Sequence, residues 1–530
     1  MKHYILPALA LSAFACVACS GDDFVGDPVK DWNATTDVVT PVEETGFSIY
    51  YTPAIGRVGD PMPFYDAKAG DFKILYLQEF PVNDDKRFHP IWGVSTTDGC
   101  NYTSLGEVIP VGESREQQDA ALGTGCAYYN KADGLYYIYY TGHNGLCANR
   151  EVVMRATSSD FKTWTKDHSW SLKGTTYGFS GNDFRDPQIF EDGDTYHMVI
   201  ATYRGADPKF VDFISKDMKN WEFAGDFNMV WDRMCECPDI FKMGDKWYLV
   251  YSESYRTDWS RKVKYMMADS FEGLKKCFSD PGANWPKDDR EGVLDTRAFY
   301  AAKTASDGKD RYIWGWSPYR TGKDIHEKNL NVGADGEPNW SGSLVCHKLV
   351  QLADGTLCVG EVPAMAAKYN KEQSVSVMAS EGYRNGNLSG DAYVLYNRLG
   401  DHNHISFTVK TSGDGDRWGV SFVRGKDTDK YYSIVCNPEW ENGRRKMNFE
   451  QQGTAEGLKW FIAGADGYIF PRPADNTYHI DIYTDNSVVT MYVDGKYGTT
   501  QRIYGLQRNC WSINSYGGNI TVSDVKVSQY

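Results

Sequence analysis

Asp186-Pro187-Gln188-Ile189-Phe190 turns at Asp192-Gly193 into Tyr196-His197-Met198-Val199-Ile200, and the same order of chemistry occurs twice more in this chain. Each unit opens on an acid with a proline within two residues and continues as an apolar, aromatic run. It then turns at a glycine and returns as a run of tyrosine and aliphatic residues. The upstream unit is Asp60-Pro61-Met62-Pro63-Phe64-Tyr65, turning near Gly70 into Phe72-Lys73-Ile74-Leu75-Tyr76-Leu77. The downstream unit is Glu236-Cys237-Pro238-Asp239-Ile240-Phe241, turning at Gly244 into Trp247-Tyr248-Leu249-Val250-Tyr251. Asp133-Gly134 and Asp307-Gly308 lead into two similar runs, Leu135 to Tyr140 and Tyr312 to Trp316, so the turn glycines fall at 70, 134, 193, 244 and 308. Their steps of 64, 59, 51 and 64 residues leave room for about four short strands each. A second element recurs between them: Ser95-Thr96-Thr97-Asp98, Ser158-Ser159-Asp160, Ser215-Lys216-Asp217 and a weaker Ala268-Asp269-Ser270. Strand and turn alternation alone would also fit a large β-sandwich. Two interleaved repeats of one period instead predict an all-β fold that begins with a five-bladed β-propeller.

In a propeller the innermost strand of each blade lines the central channel. Asp60, Asp186 and Glu236 then come from blades one, three and four, at equivalent points, and converge at one end of the channel. Blade two offers Gly123-Thr124-Gly125 there, small enough to leave room for a ligand, and blade five offers Asp295 and Phe299-Tyr300-Ala301. Taken singly, each acid is an ordinary turn or strand-end residue that satisfies backbone amides. Taken together, the three predict a catalytic site. Cys235 and Cys237 flank Glu236, but strand alternation turns them away from it and into the blade, as buried thiols and not metal ligands.

Net charge and composition narrow the substrate. At a formal charge of -15 the chain would be repelled by nucleic acid and by anionic membrane, so an uncharged or polar substrate is favoured. Its 36 tyrosines and 16 tryptophans serve both sheet packing and stacking on sugar faces. Beyond Cys16 and Cys19 the cysteines are scattered, with no zinc-type pairs, and no metal or organic cofactor is implied.

At the N-terminus, Lys2 and the apolar stretch from Tyr4 to Ala18 predict a signal peptide over residues 1–18, too short to span a membrane. Cys16-Val17-Ala18-Cys19 resembles a bacterial lipobox, with Cys19 as the lipidated first residue of the mature chain, although Cys16 stands where such boxes usually have Leu. Ser20-Gly21-Asp22-Asp23 resembles an outward export tag, and residues 19–45 read as a polar tether. The expectation is an outer-membrane lipoprotein exposed on the cell surface, attached to the membrane only through that lipid. The propeller would occupy residues 46–365. From about residue 372 the repeat is replaced by new alternating runs, such as Tyr478-His479-Ile480-Asp481-Ile482-Tyr483, and the Asp494-Gly495 hairpin turn. Residues 372–530 therefore predict a C-terminal β-sandwich.

The order Asp60-Pro61, Arg185-Asp186-Pro187, Glu236-Cys237-Pro238-Asp239 resembles glycoside hydrolase family 32, the invertase, levanase and inulinase group. Leu75-Tyr76-Leu77-Gln78, Trp92-Gly93-Val94-Ser95, Phe299-Tyr300-Ala301, Trp314-Gly315-Trp316 and Trp340-Ser341-Gly342-Ser343-Leu344 support it. The resemblance implies a retaining hydrolase of fructosyl linkages, with Asp60 as nucleophile, Glu236 as general acid/base and Asp186 as transition-state stabiliser kept ionised by Arg185. Gln78, Trp92, Arg185, Tyr300 and Trp340 would shape the sugar pocket. One departure stands out. The family usually carries Trp-Met-Asn-Asp-Pro-Asn-Gly, whereas this chain has Arg57-Val58-Gly59-Asp60-Pro61-Met62-Pro63, without the flanking amides. Two other readings compete: an inverting furanosidase acting on arabinose or xylose polymers, and a surface glycan-binding lipoprotein without activity. A surface location favours an endo-acting enzyme and levan, because cutting within chains yields importable pieces.

Overall fold

The computed structural model describes residues 45–80, 88–227, 234–254, 262–277, 292–296, 298–318, 341–424, 427–439, 444–452, 467–503 and 508–530. The signal peptide, Cys19, nearly all of the tether and Trp340 lie outside them. Thr45, placed in the tether by the sequence, already pairs with Thr103.

The repeats are blades. Blade one begins at Arg57–Asp66, blade two at Ala121–Asn130, blade three at Phe184–Asp192, blade four at Met234–Met243 and blade five at Tyr300–Ser306. Each of these strands starts an antiparallel meander. The second strand of a blade is packed on both faces, so it reads as a continuous apolar and tyrosine run and not as an alternation. Ile74 to Leu77, Tyr136 to Tyr140, Met198 to Ala201 and Tyr248 to Tyr251 are all buried. The second repeat is the turn after the third strand. There Asp98, Asp160 and Asp217 each accept backbone N–H bonds from the residues that follow, and Thr96, Ser158 and Ser215 bond to those same carboxylates. The ring is closed by chain from before blade one and by the start of its first strand. Tyr50–Tyr51 pairs with Leu344 and Val345 on the third strand of blade five, and Val58 pairs with Gly342.

The C-terminal strands form the expected sandwich. Cys510–Gln529 ties it together: residues 510–515 pair with Trp418–Arg424 and residues 520–528 pair with His402–Thr411. The apolar faces of both groups meet in one core around Trp418, Phe422, Phe407, Ile480 and Trp511. The sandwich is fixed to the propeller through buried polar bonds. Asp295 accepts from the Thr500 backbone N–H (2.7 Å) and hydroxyl (2.6 Å), and His347 lies between Thr500 and Tyr492. This corrects the sequence reading of Asp295, which belongs to the domain junction and not to the channel. The ten cysteines from Cys100 onward are free thiols, all buried except the half-buried Cys147.

Candidate active site

All five innermost strands break register at the same height. The interruptions fall between Gly59 and Met62, Gly123 and Gly125, Arg185 and Gln188, Glu236 and Asp239, and Tyr300 and Lys303. These are β-bulges, which bend a strand and re-aim its side chains. Pro61, Pro187 and Pro238 sit inside three of them, where a ladder hydrogen bond is already missing and a residue without N–H costs little. The residue at the bulge takes a left-handed backbone at Asp60 (φ 21°), Asp186 (φ 61°), Cys237 (φ 52°) and Ala301 (φ 52°). Non-glycine residues rarely adopt that conformation, and before proline it is more costly still.

Asp60, Thr124, Asp186, Cys237 and Ala301 are thus the equivalent positions of the five blades. Glu236 stands one residue earlier, level with Arg185, which corrects the expectation that the three acids are equivalent. The acids nonetheless line one cavity of about 910 Å³, together with Arg185, Thr124, Glu151 and His143. Asp60 is held from two blades: Trp316 Nε1–H donates to Oδ1 (2.9 Å) and the Thr124 hydroxyl to Oδ2 (2.7 Å). Asp186 Oδ2 accepts the Cys237 N–H at 2.9 Å, and the Asp186 N–H donates to Thr141 Oγ1. Glu236 lies between Arg185, whose Nη2 is 3.2 Å from Oε1, and Tyr300, whose hydroxyl donates to Oε2 at 2.9 Å.

The charges of the site are coupled. Burial pushes the Asp186 carboxyl up to about 6; Arg185 pulls it down and Glu236 pushes it up, so burial outweighs the guanidinium expected to keep it ionised. Burial also opposes the charge on Arg185, but Glu236, Glu151 and Asp186 together hold the guanidinium well above its ordinary value. Burial raises Glu151 too, yet bonds from His143, Arg185 and the Phe184 N–H leave it below the usual carboxylate range.

Asp60, Asp186, Glu236 and Arg185 therefore meet in the cavity, and Tyr300 reaches it through Glu236. Gln78 does not line it. It is buried and donates to the carbonyls of Ile55 and Glu79, so it braces the chain behind the cavity wall. Trp92 packs edge-on to Phe80 outside the cavity. Sequence reasoning missed Trp316, Glu151 and His143 as site residues. For Trp316 the signal was present, since it ends the Trp314-Gly315-Trp316 run.

Residues 51–360 match the family model described as Glycosyl hydrolases family 32 N-terminal domain, and residues 355–527 match GH32, BT1760-like, C-terminal domain. The sucrose-6-phosphate hydrolase of Zymomonas mobilis is 28% identical over 360 residues, which is 63% of this chain and 64% of that enzyme, just under two thirds of its length. The levanbiose-producing levanase of Bacillus subtilis is 25% identical over 479 residues, covering 81% of this chain and 85% of the relative. Among solved structures, fructan 1-exohydrolase IIa from Cichorium intybus shares the fold at a TM-score of 0.68 and 15% identity, covering 92% of this chain and 97% of that one. With the N-terminal model alone spanning more than half of its residues, the chain belongs to glycosyl hydrolase family 32.

Proposed function

We propose that this family 32 glycoside hydrolase cleaves fructosyl linkages of a fructan with retention of configuration, through Asp60, Glu236 and Asp186. The observation that carries the reading is the convergence of these acids, from three blades, on one cavity in which each carboxyl is held by a partner. Asp60 attacks the anomeric carbon while Glu236 gives a proton to the leaving oxygen; a covalent fructosyl-enzyme forms and the glycosidic bond breaks. Glu236 then takes a proton from water, which attacks the same carbon and releases Asp60. Asp186 bonds to ring hydroxyls and opposes the positive charge that develops on the ring.

Levan, cut within the chain, is the proposed substrate. The cavity is lined by Asp60, Glu79, Glu113, Glu151, Asp186 and Glu236 against Arg115 and Arg185, an excess of carboxylates that favours a neutral sugar chain over a phosphorylated one. Phe88 and Leu146, exposed apolar side chains on its rim, offer contact beyond a single fructosyl unit. Lipidation at Cys19 and display on the outer membrane belong to the same proposal, and rest on the lipobox-like stretch. Incubation with levan, inulin and sucrose, with products resolved over time, tests it. Oligosaccharides from levan are expected first; free fructose as the sole early product would overturn the endo reading, and no release from any of the three would overturn the whole. Resistance of the protein to protease on intact cells would overturn surface display.

A further inference from the structure

The channel has a second mouth, at the end opposite the acids. Just past the bulges, Met62, Gly125, Gln188, Asp239 and Lys303 hold the same register position on the five innermost strands and form one layer across the axis. Lys303 Nζ donates to the Gly125 carbonyl (2.9 Å) and Gln188 Nε2 donates to Asp239 Oδ1 (3.2 Å), so the layer is a septum. Beneath it lies a cavity of about 600 Å³ whose lining includes Lys303, Arg311, Asp239, Phe241 and Tyr128.

The charges of this cavity do not balance. Lys303 is 3% exposed and bonds only to a carbonyl; Arg311 donates to Thr304 Oγ1 and lies over the Phe241 ring at 4.1 Å. Among the described residues, neither has a carboxylate within salt-bridge distance. Asp239, a buried carboxylate of the same lining, already accepts from the Gln188 amide and, at 2.7 Å, from the Thr304 N–H. The buried Lys303 ammonium and the half-buried Arg311 guanidinium thus lie beside a carboxylate that pairs with neither, and unpaired buried charge is costly. Lys68 and Lys131 bring the lining to four cations, against Asp239, the buried Asp66 and the exposed Glu191. On a chain of net charge -15, and opposite a cavity rich in carboxylates, this is a cationic hollow.

The geometry points to a second ligand site here, taking a phosphoryl oxyanion between Lys303 and Arg311. A tetrahedral group with several acceptor oxygens suits a flat guanidinium and a point ammonium approaching from different strands. The cavity has room for a small sugar body against Tyr128 as well, so free phosphate and a sugar phosphate share the chemistry.

Calorimetric titration of the mature chain at low salt, with inorganic phosphate and separately with fructose 6-phosphate, tests the site. Fructose is kept saturating to occupy the upper cavity. One phosphate per chain is expected, with Lys303→Met and Arg311→Met each weakening it about tenfold or more, the worth of a charge-assisted hydrogen bond. Tighter fructose 6-phosphate assigns a sugar phosphate, and equal or weaker binding assigns free phosphate; both support the site. If Lys303→Met fails to fold, Arg311→Met, nearer the mouth, decides alone. No saturable binding up to about 50 mM, displacement by fructose, or an Arg311→Met variant that binds like the wild type would overturn the proposal.

Discussion

Replacing Asp186 with Asn should stabilise the protein while stopping its chemistry. The carboxyl is 3% exposed and burial pushes it up to about 6, against ~3.9 for an unperturbed aspartate. The gap of about 2 units corresponds to ~3 kcal/mol of folded-state penalty for the charged form. Because the folded value stands above the unfolded one, the folded chain binds more protons between about pH 4 and 6, and stability falls as pH rises through that window. Above it the penalty is present in full; near pH 4 it is absent. The side-chain amide introduced by Asp186→Asn would keep an oxygen for the Cys237 N–H and carry no charge. The variant should therefore unfold at higher urea than wild type at pH 8, by the equivalent of up to about 3 kcal/mol, and at nearly the same urea at pH 4. Comparing midpoints, and not extrapolated free energies, suits a chain of two domains. Turnover should drop by about a hundredfold or more, because a neutral amide cannot oppose the charge that develops on the sugar. A stability difference equal at both pH values, or a variant weaker than wild type at pH 8, would refute the reasoning.

Asp60→Asn should abolish turnover and leave the circular dichroism spectrum unchanged; NMR of the first-formed anomer from the wild type should show retention, and inversion would remove Asp60 as nucleophile. Glu236→Gln should lose most rate on fructans and least on a fructosyl donor whose leaving group needs no proton, in initial-rate assays. Glu151→Gln removes the charge that faces Arg185 at 3.0 Å, so kcat should fall about tenfold and the pH-rate profile should move, whereas a purely structural role would leave the profile in place. Gly125→Ala would put a Cβ 1.9 Å from the Tyr139 carbonyl oxygen, and the thermal midpoint should drop by several degrees or the protein should not fold.

The blades were legible because burial wrote them into the chain. A strand packed on both faces leaves an unbroken run such as Tyr136 to Tyr140, and the turn after each third strand needs an acid that accepts several N–H groups, as Asp160 and Asp217 do. Ring closure left no such mark. Tyr50–Tyr51 pairs with residues nearly 300 positions away, and nothing in two tyrosines says so. Asp295 misled for a related reason: an acid next to the fifth repeat looks like a channel residue, but its partner Thr500 lies across the domain junction, and His347 of blade five reaches to the same threonine.

The site shows where motif reading stops. Aligning the repeats on an acid followed by proline made Glu236 the counterpart of Asp60 and Asp186, yet the bulge falls on Cys237, and Glu236 sits on the regular strand before it. That offset has a chemical consequence. At the bulges of blades one and three, the Asp60 and Asp186 carboxyls are fixed by donors such as Trp316, Thr124 and the Cys237 N–H. A residue one step earlier shares its level with Arg185 and Tyr300, and these two side chains hold it. A nucleophile and a transition-state stabiliser need a fixed carboxylate, while a group that gives and then recovers a proton needs partners that tolerate both of its forms. The Tyr300 hydroxyl meets that need because it can donate or accept, and Arg185 keeps Glu151 and Asp183 as partners when Glu236 is neutral. The division of labour proposed for the three acids thus follows from a one-residue difference in register, which became visible only once the strands were paired.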